Sequence, residues 1–279
     1  VDNSEPPIIA ASPFCFSGFD PWVGYACLSQ AGVRYVEVPA LAPSMGPKHG
    51  LTTFAPEAMD ASVVRAFRDR LNGLGLTPIT VTAMCHLDDA QEIESLRRRI
   101  DFAEAIGCRY VITDSTEQSD TEDWSGVIKS LRELADYASD RGVCLALETH
   151  AGPTRTGKLA RKFLEEVAHP NVGFNYDTGN IVYYNDDTDP AEDISEVVDR
   201  VVHVHLKDTQ GGKGEWMFCA LGEGRVNFQT ILRKLRAAGF MGPYSLEIEG
   251  MAGEDLNREG YLRRLRKSLE HLQSIGLTL

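Results

Sequence analysis

The sequence predicts an α/β chain folded as one (β/α)₈ TIM barrel, and three observations carry that prediction. Short β-branched or apolar runs alternate eight times with stretches of helical period. No Gly-x-Gly-x-x-Gly turn follows the first run, as an open dinucleotide-binding sheet would require. No linker, low-complexity tract or shift in composition divides the 279 residues, so 1–279 read as a single domain.

The elements follow in order. PIIAASPFCF (7–16) is the first strand, and its helix begins near the FDPW segment and runs through GYACLSQAG. VRYVEVPA (33–40) is the second strand, followed by a Gly- and Pro-rich loop and the helix 62–75, which ends in a glycine stop signal. PITVTAMC (78–85) is the third strand; the helix 89–107 after it carries Ile93, Leu96, Ile100 and Ala103 along one stripe. RYVITDS (109–115) precedes a helix over 123–142, opened by an acidic cap and closed by Gly142. VCLALETH (143–150), NVGFNYDTGN (171–180), VVHVHLKD (201–208) and PYSLEIEG (243–250) complete the strands. Their helices are read at 157–169, 191–200, 228–240 and 260–276.

Composition narrows the function. At 43% hydrophobic and 25% charged residues the chain reads as an ordinary globular protein. Its net charge of -13, from 28 Lys+Arg against 41 Asp+Glu, repels nucleic acid and anionic membranes alike. No apolar run approaches the roughly 20 residues of a spanning helix. The first ten residues lack a signal-peptide pattern, and the six scattered cysteines form no CxxC pair. The expected compartment is the cytoplasm. A homo-oligomer or an assembly with a partner subunit is also expected.

In this fold the chemistry sits at the C-terminal ends of the strands. Four consecutive strands end in a residue able to bind metal: Glu148, Asp177, His205 and Glu247. The steps are 29 residues (148 to 177), 28 (177 to 205) and 42 (205 to 247), the last lengthened by the loop TQGGKGEWMFCALGEGRVNF. Equal position in the unit means equal height in the barrel, so the four can converge at the mouth. Three carboxylates and one imidazole suit Mn²⁺, Mg²⁺ or Co²⁺ better than structural Zn²⁺. Any one carboxylate could instead merely cap the next helix.

The segments LALETH, GFNYDTGN, VVHVHLKD, ALGEGRVNF and GPYSLEIEG make the chain resemble the xylose-isomerase-like TIM-barrel superfamily of sugar (phosphate) isomerases and epimerases. The resemblance covers nearly the whole chain. It implies Glu148, Asp177, His205 and Glu247 as ligands of a divalent metal, often Mn²⁺, with the two glutamates shuttling the proton in ketose 3-epimerases. The superfamily also holds dehydratases and subunits that cleave C-glycosides of 3-oxo-sugars. Two positions depart from the ketose 3-epimerase pattern: Asn180 stands where a His is expected, and Gly211 where an Arg is expected.

Around the four ligands, strand alternation faces His150 toward the same side as Glu148, as a catalytic acid or base at the rim, or else a loop histidine bonded to backbone. Glu249 bears the same relation to Glu247 and reads as a contact for substrate hydroxyls or as a solvated rim charge, the latter favoured. Lys207 faces the mouth, either to bind substrate oxygen or to form a salt bridge with Asp208 or Glu249. Glu37 and Asp114 are expected to support the ligands from behind, as is His203, one layer deeper than His205. His86, Asn180, Arg155 and Trp216 are candidates for substrate contact, with Phe16, Trp22 and Tyr176 as further aromatic candidates. Arg155 with Lys158 could receive a phosphate or carboxylate, and the glycine-hinged loop around Trp216 reads as a lid.

The expected reaction is proton transfer next to a carbonyl of a keto-sugar or keto-polyol, giving isomerisation or epimerisation through an enediolate. Loss of a β-leaving group would make the same site a lyase, with His150 as the acid. A metal-dependent sugar-binding subunit is the non-catalytic alternative. A multi-metal DNA-repair nuclease is disfavoured by the acidic chain and its seven histidines.

Overall fold

The computed structural model describes residues 6–41, 60–116 and 123–279; the loop read after the second strand falls mostly outside them. Eight parallel strands close a barrel: β1 (Ile9–Ala11), β2 (Tyr35–Pro39), β3 (Thr77–Thr82), β4 (Tyr110–Thr113), β5 (Cys144–Glu148), β6 (Val172–Asp177), β7 (Val201–Leu206) and β10 (Tyr244–Leu246). Their order around the ring is β1-β10-β7-β6-β5-β4-β3-β2, as the βα alternation predicts. No helix among the described residues is long and apolar enough to cross a membrane.

The long outer helices are α1 (Pro21–Gln30), α2 (Ala61–Gly73), α3 (Ala90–Ile106), α4 (Ser125–Ser139), α5 (Gly157–Val167), α8 (Phe228–Ala237) and α9 (Arg258–Ser274). Side chains start them: Asp20, Asp60, Asp89, Thr156, Asn227 and Asn257 each accept a backbone N–H in the first turn. In α3 the stripe buries Leu96, Ile100 and Ala103 fully and Ile93 in part. For α4, Trp124 occupies the cap position and Asp123 accepts the N–H of Ser125 at 3.0 Å. Gly142, at φ 66°, makes the left-handed turn into β5.

Three segments differ from expectation. The first strand stops at Ala11, because Ser12 and Pro13 start a 3₁₀ turn over Pro13–Phe16. The DTGN segment opens a helix, α6 (Thr178–Tyr184), with Asp177 as its cap. The helix read at 191–200 breaks into the short α7 (Pro190–Asp193) and two 3₁₀ turns.

The long loop after β7 is built rather than hinged. It holds β8 (Asp208–Thr209) and β9 (Met217–Cys219), which join β11 (Gly250–Met251) in an antiparallel sheet. Asp208 turns away from the barrel mouth, and its carboxylate accepts the N–H groups of Thr209, Gly222, Gly224 and Val226 at 2.9–3.1 Å. A Cβ on Gly224 would lie 2.2 Å from Asp208 Oδ1, so only glycine allows this approach. Asp208→Ala is expected to destabilise the protein by about 2–4 kcal/mol in urea denaturation, because one carboxylate serves several otherwise unpaired amides. An unchanged midpoint would contradict that role.

Candidate metal centre

Strand stagger decides which side chains meet. Asp177 on β6 pairs with His205 on β7, whereas Glu148 on β5 pairs with Asn175, two residues below Asp177. That step is the offset strand tilt imposes on a closed barrel, and it leaves Glu148 and Asp177 at one height. Glu247 lies one residue past β10, its N–H bonded to Leu206 O at 3.1 Å. One ligand atom from each of Glu148, Asp177, His205 and Glu247 lies within 4.8 Å of the others, and all four residues are buried.

His205 is oriented from behind. Its Nε2 is 3.0 Å from Glu37 Oε2, so that nitrogen donates to the carboxylate. Glu37 is held in turn by the Thr82 hydroxyl, which donates to Oε1 at 2.6 Å. Nδ1 is thereby left facing Glu148 Oε1 and Glu247 Oε2, both at 3.3 Å, and Asp177 Oδ2 at 3.7 Å. His203 lies deeper, with Nδ1 2.8 Å from Asn175 Oδ1 and Nε2 3.2 Å from Ser245 Oγ. Burial beside a charged His205 pushes its pKa down to about 3. A neutral His203 donates to the Asn175 carbonyl and accepts from the Ser245 hydroxyl.

Asp177 divides its two oxygens. Oδ1 accepts the N–H groups of Gly179 and Asn180, both at 2.8 Å, which caps α6. Oδ2 faces the cluster. Capping and metal binding, read as alternatives from the sequence, are therefore compatible in one residue.

The charges are tightly compensated. Burial opposes ionisation of Glu37, but His205 outweighs it and brings the carboxyl down to about 2. Burial pushes Glu148 up to about 7 against the pull of His205, with Glu247 and Asp177 adding to the rise. Burial would lower His205, yet Glu37, Glu247 and Glu148 hold it well above an ordinary histidine. Lys207 is likewise buried, and the carboxylates of Asp177, Glu247 and Glu249 keep it charged, its pKa well above that of an ordinary lysine. Its Nζ lies 3.0, 2.6 and 2.8 Å from those three residues. Glu249 is thus an ion-paired group pushed up to about 7 by burial, not a solvated rim charge.

These residues fit a divalent cation. Asp177 Oδ2 and Glu247 Oε2 are buried without an aligned hydrogen bond, facing only the two cationic side chains. Three hard carboxylates, an imidazole nitrogen and a carboxylate supporting that imidazole form a donor set that could hold a metal ion.

A cavity of about 250 Å³ reaches this cluster, lined in part by Asp114, Glu148, His150, Asn180, Lys207 and Glu247. Asn180 donates to Thr149 O at 3.0 Å and Glu148 Oε1 at 3.4 Å, and its Oδ1 is 3.3 Å from Lys207 Nζ. Asp114 lies between two histidines, 3.3 Å from His150 Nδ1 and 4.0 Å from His86 Nε2. Trp216 lines the cavity and is 37% exposed. His86, Arg155 and Lys158 are not among the lining residues, and the Arg155 side chain is exposed. Phe16 and Tyr176 are core side chains, and Trp22 packs against Tyr25 and Phe67. Strand spacing does not mark Tyr184, whose hydroxyl is 3.1 Å from His150 Nε2, or its neighbour Tyr183, yet both line the cavity. Both ride on α6, and the signal available was the capping Asp177 followed by the apolar run IVYY.

A family model described as a xylose isomerase-like TIM barrel matches residues 26–275. An inosose dehydratase of Geobacillus thermodenitrificans is 28% identical over 145 residues, 46% of this chain and 48% of that protein. The L-ribulose-5-phosphate 3-epimerase UlaE of Salmonella paratyphi C is 28% identical over 171 residues, 60% of this chain and 59% of that protein. The chain thus spans about half to three-fifths of the length of these relatives. A xylose isomerase-like TIM barrel protein from Mycobacterium smegmatis, solved in complex with magnesium, superposes with a TM-score of 0.74. It is 22% identical, over 95% of this chain and 98% of that one. With its closed barrel and a family match over most of its length, the chain belongs to the xylose isomerase-like TIM-barrel family.

Proposed function

We propose that the protein is a divalent-metal-dependent enzyme that isomerises or epimerises a keto-sugar or keto-polyol by proton transfer through an enediolate. The observation that carries this reading is the convergence of Glu148, Asp177, His205 Nδ1 and Glu247 in one buried cluster at a cavity. We assign the cation as Mn²⁺, with Mg²⁺ and Co²⁺ suited to the same oxygen-rich set. When bound, it would supply Lewis-acid stabilisation of the negative charge that develops as a proton leaves carbon.

The side chains supply the rest. Glu148 and Glu247 enter from β5 and β10 and flank His205, so they address a substrate from different directions. Glu247 is paired with Lys207 at 2.6 Å, whereas among the described residues Glu148 has the longer contacts of His205 and Asn180. Glu148 is therefore assigned proton abstraction and Glu247 proton return. Lys207 and Asn180 fix the orientation of these carboxylates. Among the relatives, both an epimerase and a dehydratase fit proton removal next to a carbonyl.

A specific contact also favours the lyase reading. His150, placed between Asp114 and the Tyr184 hydroxyl, sets a proton-carrying group at the rim, where a departing hydroxyl would need one. Deuterium exchange from solvent into a panel of keto-sugars and inososes separates the readings. Metal-dependent incorporation next to the carbonyl is expected, and loss of water in the product marks the lyase. If ketones bind but none exchanges, the protein is a sugar-binding subunit instead.

Glu37→Gln keeps an oxygen for the His205 Nε2 hydrogen but removes the charge behind it. Mn²⁺ affinity is expected to fall about 10–100-fold in competition with a chelating dye. An unchanged affinity removes Glu37 from that supporting role.

A further inference from the structure

Lys207 reaches the cluster because the fold clears a path for its stem. Gly179 sits in the first turn of α6, and a Cβ there would lie 2.5 Å from Lys207 Cγ and 2.8 Å from Cδ. The Thr178 hydroxyl accepts the Lys207 N–H at 3.0 Å and donates to the Lys207 carbonyl at 2.7 Å, which fixes the backbone. The ammonium lies 4.8 Å from the centre of the Phe218 ring, whose face favours a cation.

Two oxygens serve two positive partners. Asp177 Oδ2 lies 3.7 Å from His205 Nδ1 and 3.0 Å from Lys207 Nζ. Glu247 Oε2 lies 3.3 Å from the same imidazole nitrogen and 2.6 Å from the same ammonium. A divalent ion held by these oxygens and the Lys207 ammonium repel each other, and both draw on the same negative charge. A neutral amide or hydroxyl donor would orient the two carboxylates without opposing a metal. A lysine adds a full positive charge, buried at a cost that the surrounding carboxylates offset.

Glu249 enters this balance from outside the four-donor cluster. Its Oε2 lies 2.8 Å from Lys207 Nζ, so its pull on the ammonium competes with that of Asp177 and Glu247.

We infer that Lys207 is a resident cation of the metal centre that competes with the divalent ion for Asp177 and Glu247, and that Glu249 raises metal affinity by drawing the ammonium toward itself. This rests on the divalent-metal reading above and adds two residues that set the affinity without ligating the ion.

Mn²⁺ titration calorimetry of the parent protein, Lys207→Met, Glu249→Gln and the double variant tests it. Lys207→Met is expected to bind Mn²⁺ at least about tenfold more tightly, because a repelling charge is gone. A lysine that only orients the ligands gives the opposite result, weaker binding. Glu249→Gln is expected to weaken Mn²⁺ binding about tenfold in the parent and less than about threefold in the Lys207→Met background, since its effect runs through the ammonium. Unchanged or weaker binding in Lys207→Met overturns the inference. So does a Glu249→Gln change that leaves the parent's affinity as it was or costs as much in both backgrounds.

If Lys207→Met does not fold by circular dichroism, Gly179→Ala decides. It keeps every charge and displaces the lysine stem, and is expected to tighten Mn²⁺ binding about threefold or more. Unchanged or weaker binding there overturns the inference. No Mn²⁺ binding by the parent overturns the inference and the metal reading together. Solvent exchange is scored separately. The expected affinities with no deuterium entering any keto-sugar leave the Lys207 assignment standing and defeat the proton-transfer reading. Metal-dependent incorporation with a Glu249→Gln loss equal in both backgrounds does the reverse.

Discussion

Glu148→Ala and His205→Ala are each expected to purify without stoichiometric divalent metal, as read by elemental analysis after gel filtration. Each removes one of four donors whose ligand atoms lie within 4.8 Å of one another. In both variants Asp177 and Glu247 keep Lys207 as their counter-ion, so the cluster can persist without the ion. The two variants separate in stability. His205→Ala leaves Glu37 buried without its partner, an arrangement that costs about 3–5 kcal/mol. Glu148→Ala removes a carboxyl that burial already disfavours in its charged form. Glu148→Ala is therefore the cleaner variant. Metal at wild-type occupancy in both proteins would defeat the ligand assignment.

Glu148→Gln separates ligand from base. The amide oxygen still offers the cation a donor, but the side chain no longer accepts a proton from carbon. At saturating Mn²⁺, turnover is expected to fall by about 10²–10⁴, the usual range for a positioned general base. Metal content should stay near one equivalent under the same conditions. Turnover within tenfold of the parent protein would transfer the role to another group, with Glu247 the next to test.

What the sequence revealed followed the strictness of strand geometry. Side chains alternate along a strand and recur at one height from unit to unit, so Glu148, Asp177, His205 and Glu247 could be placed from spacing. His203 and His205 share a parity, and only depth separates them; the Asn175 and Ser245 contacts put His203 in the barrel interior. Loops obey no such period. Tyr183 and Tyr184 were hidden because DTGN looks like the end of a strand, and only a side-chain cap turns it into a helix. Lys207 and Asp208 show the same divide. Parity sends Lys207 inward, where it meets Glu249, while Asp208 bonds loop amides that no local pattern announces. Arg155 and Lys158 follow the fifth strand, a place that suits an anion contact, but neither lines the cavity and the Arg155 side chain is exposed.

The divided carboxylate of Asp177 has a consequence for ion selectivity. One oxygen is anchored by two amides at 2.8 Å, so the group cannot rotate to clasp an ion with both oxygens without uncapping α6. Calcium takes six to eight oxygens at about 2.3–2.6 Å, often by bidentate clasping, and a single-oxygen grip serves it poorly. Smaller ions, content with fewer and shorter bonds, meet no such obstacle. If the cluster holds a cation, this helix cap would favour smaller ions over calcium at the mouth of the barrel.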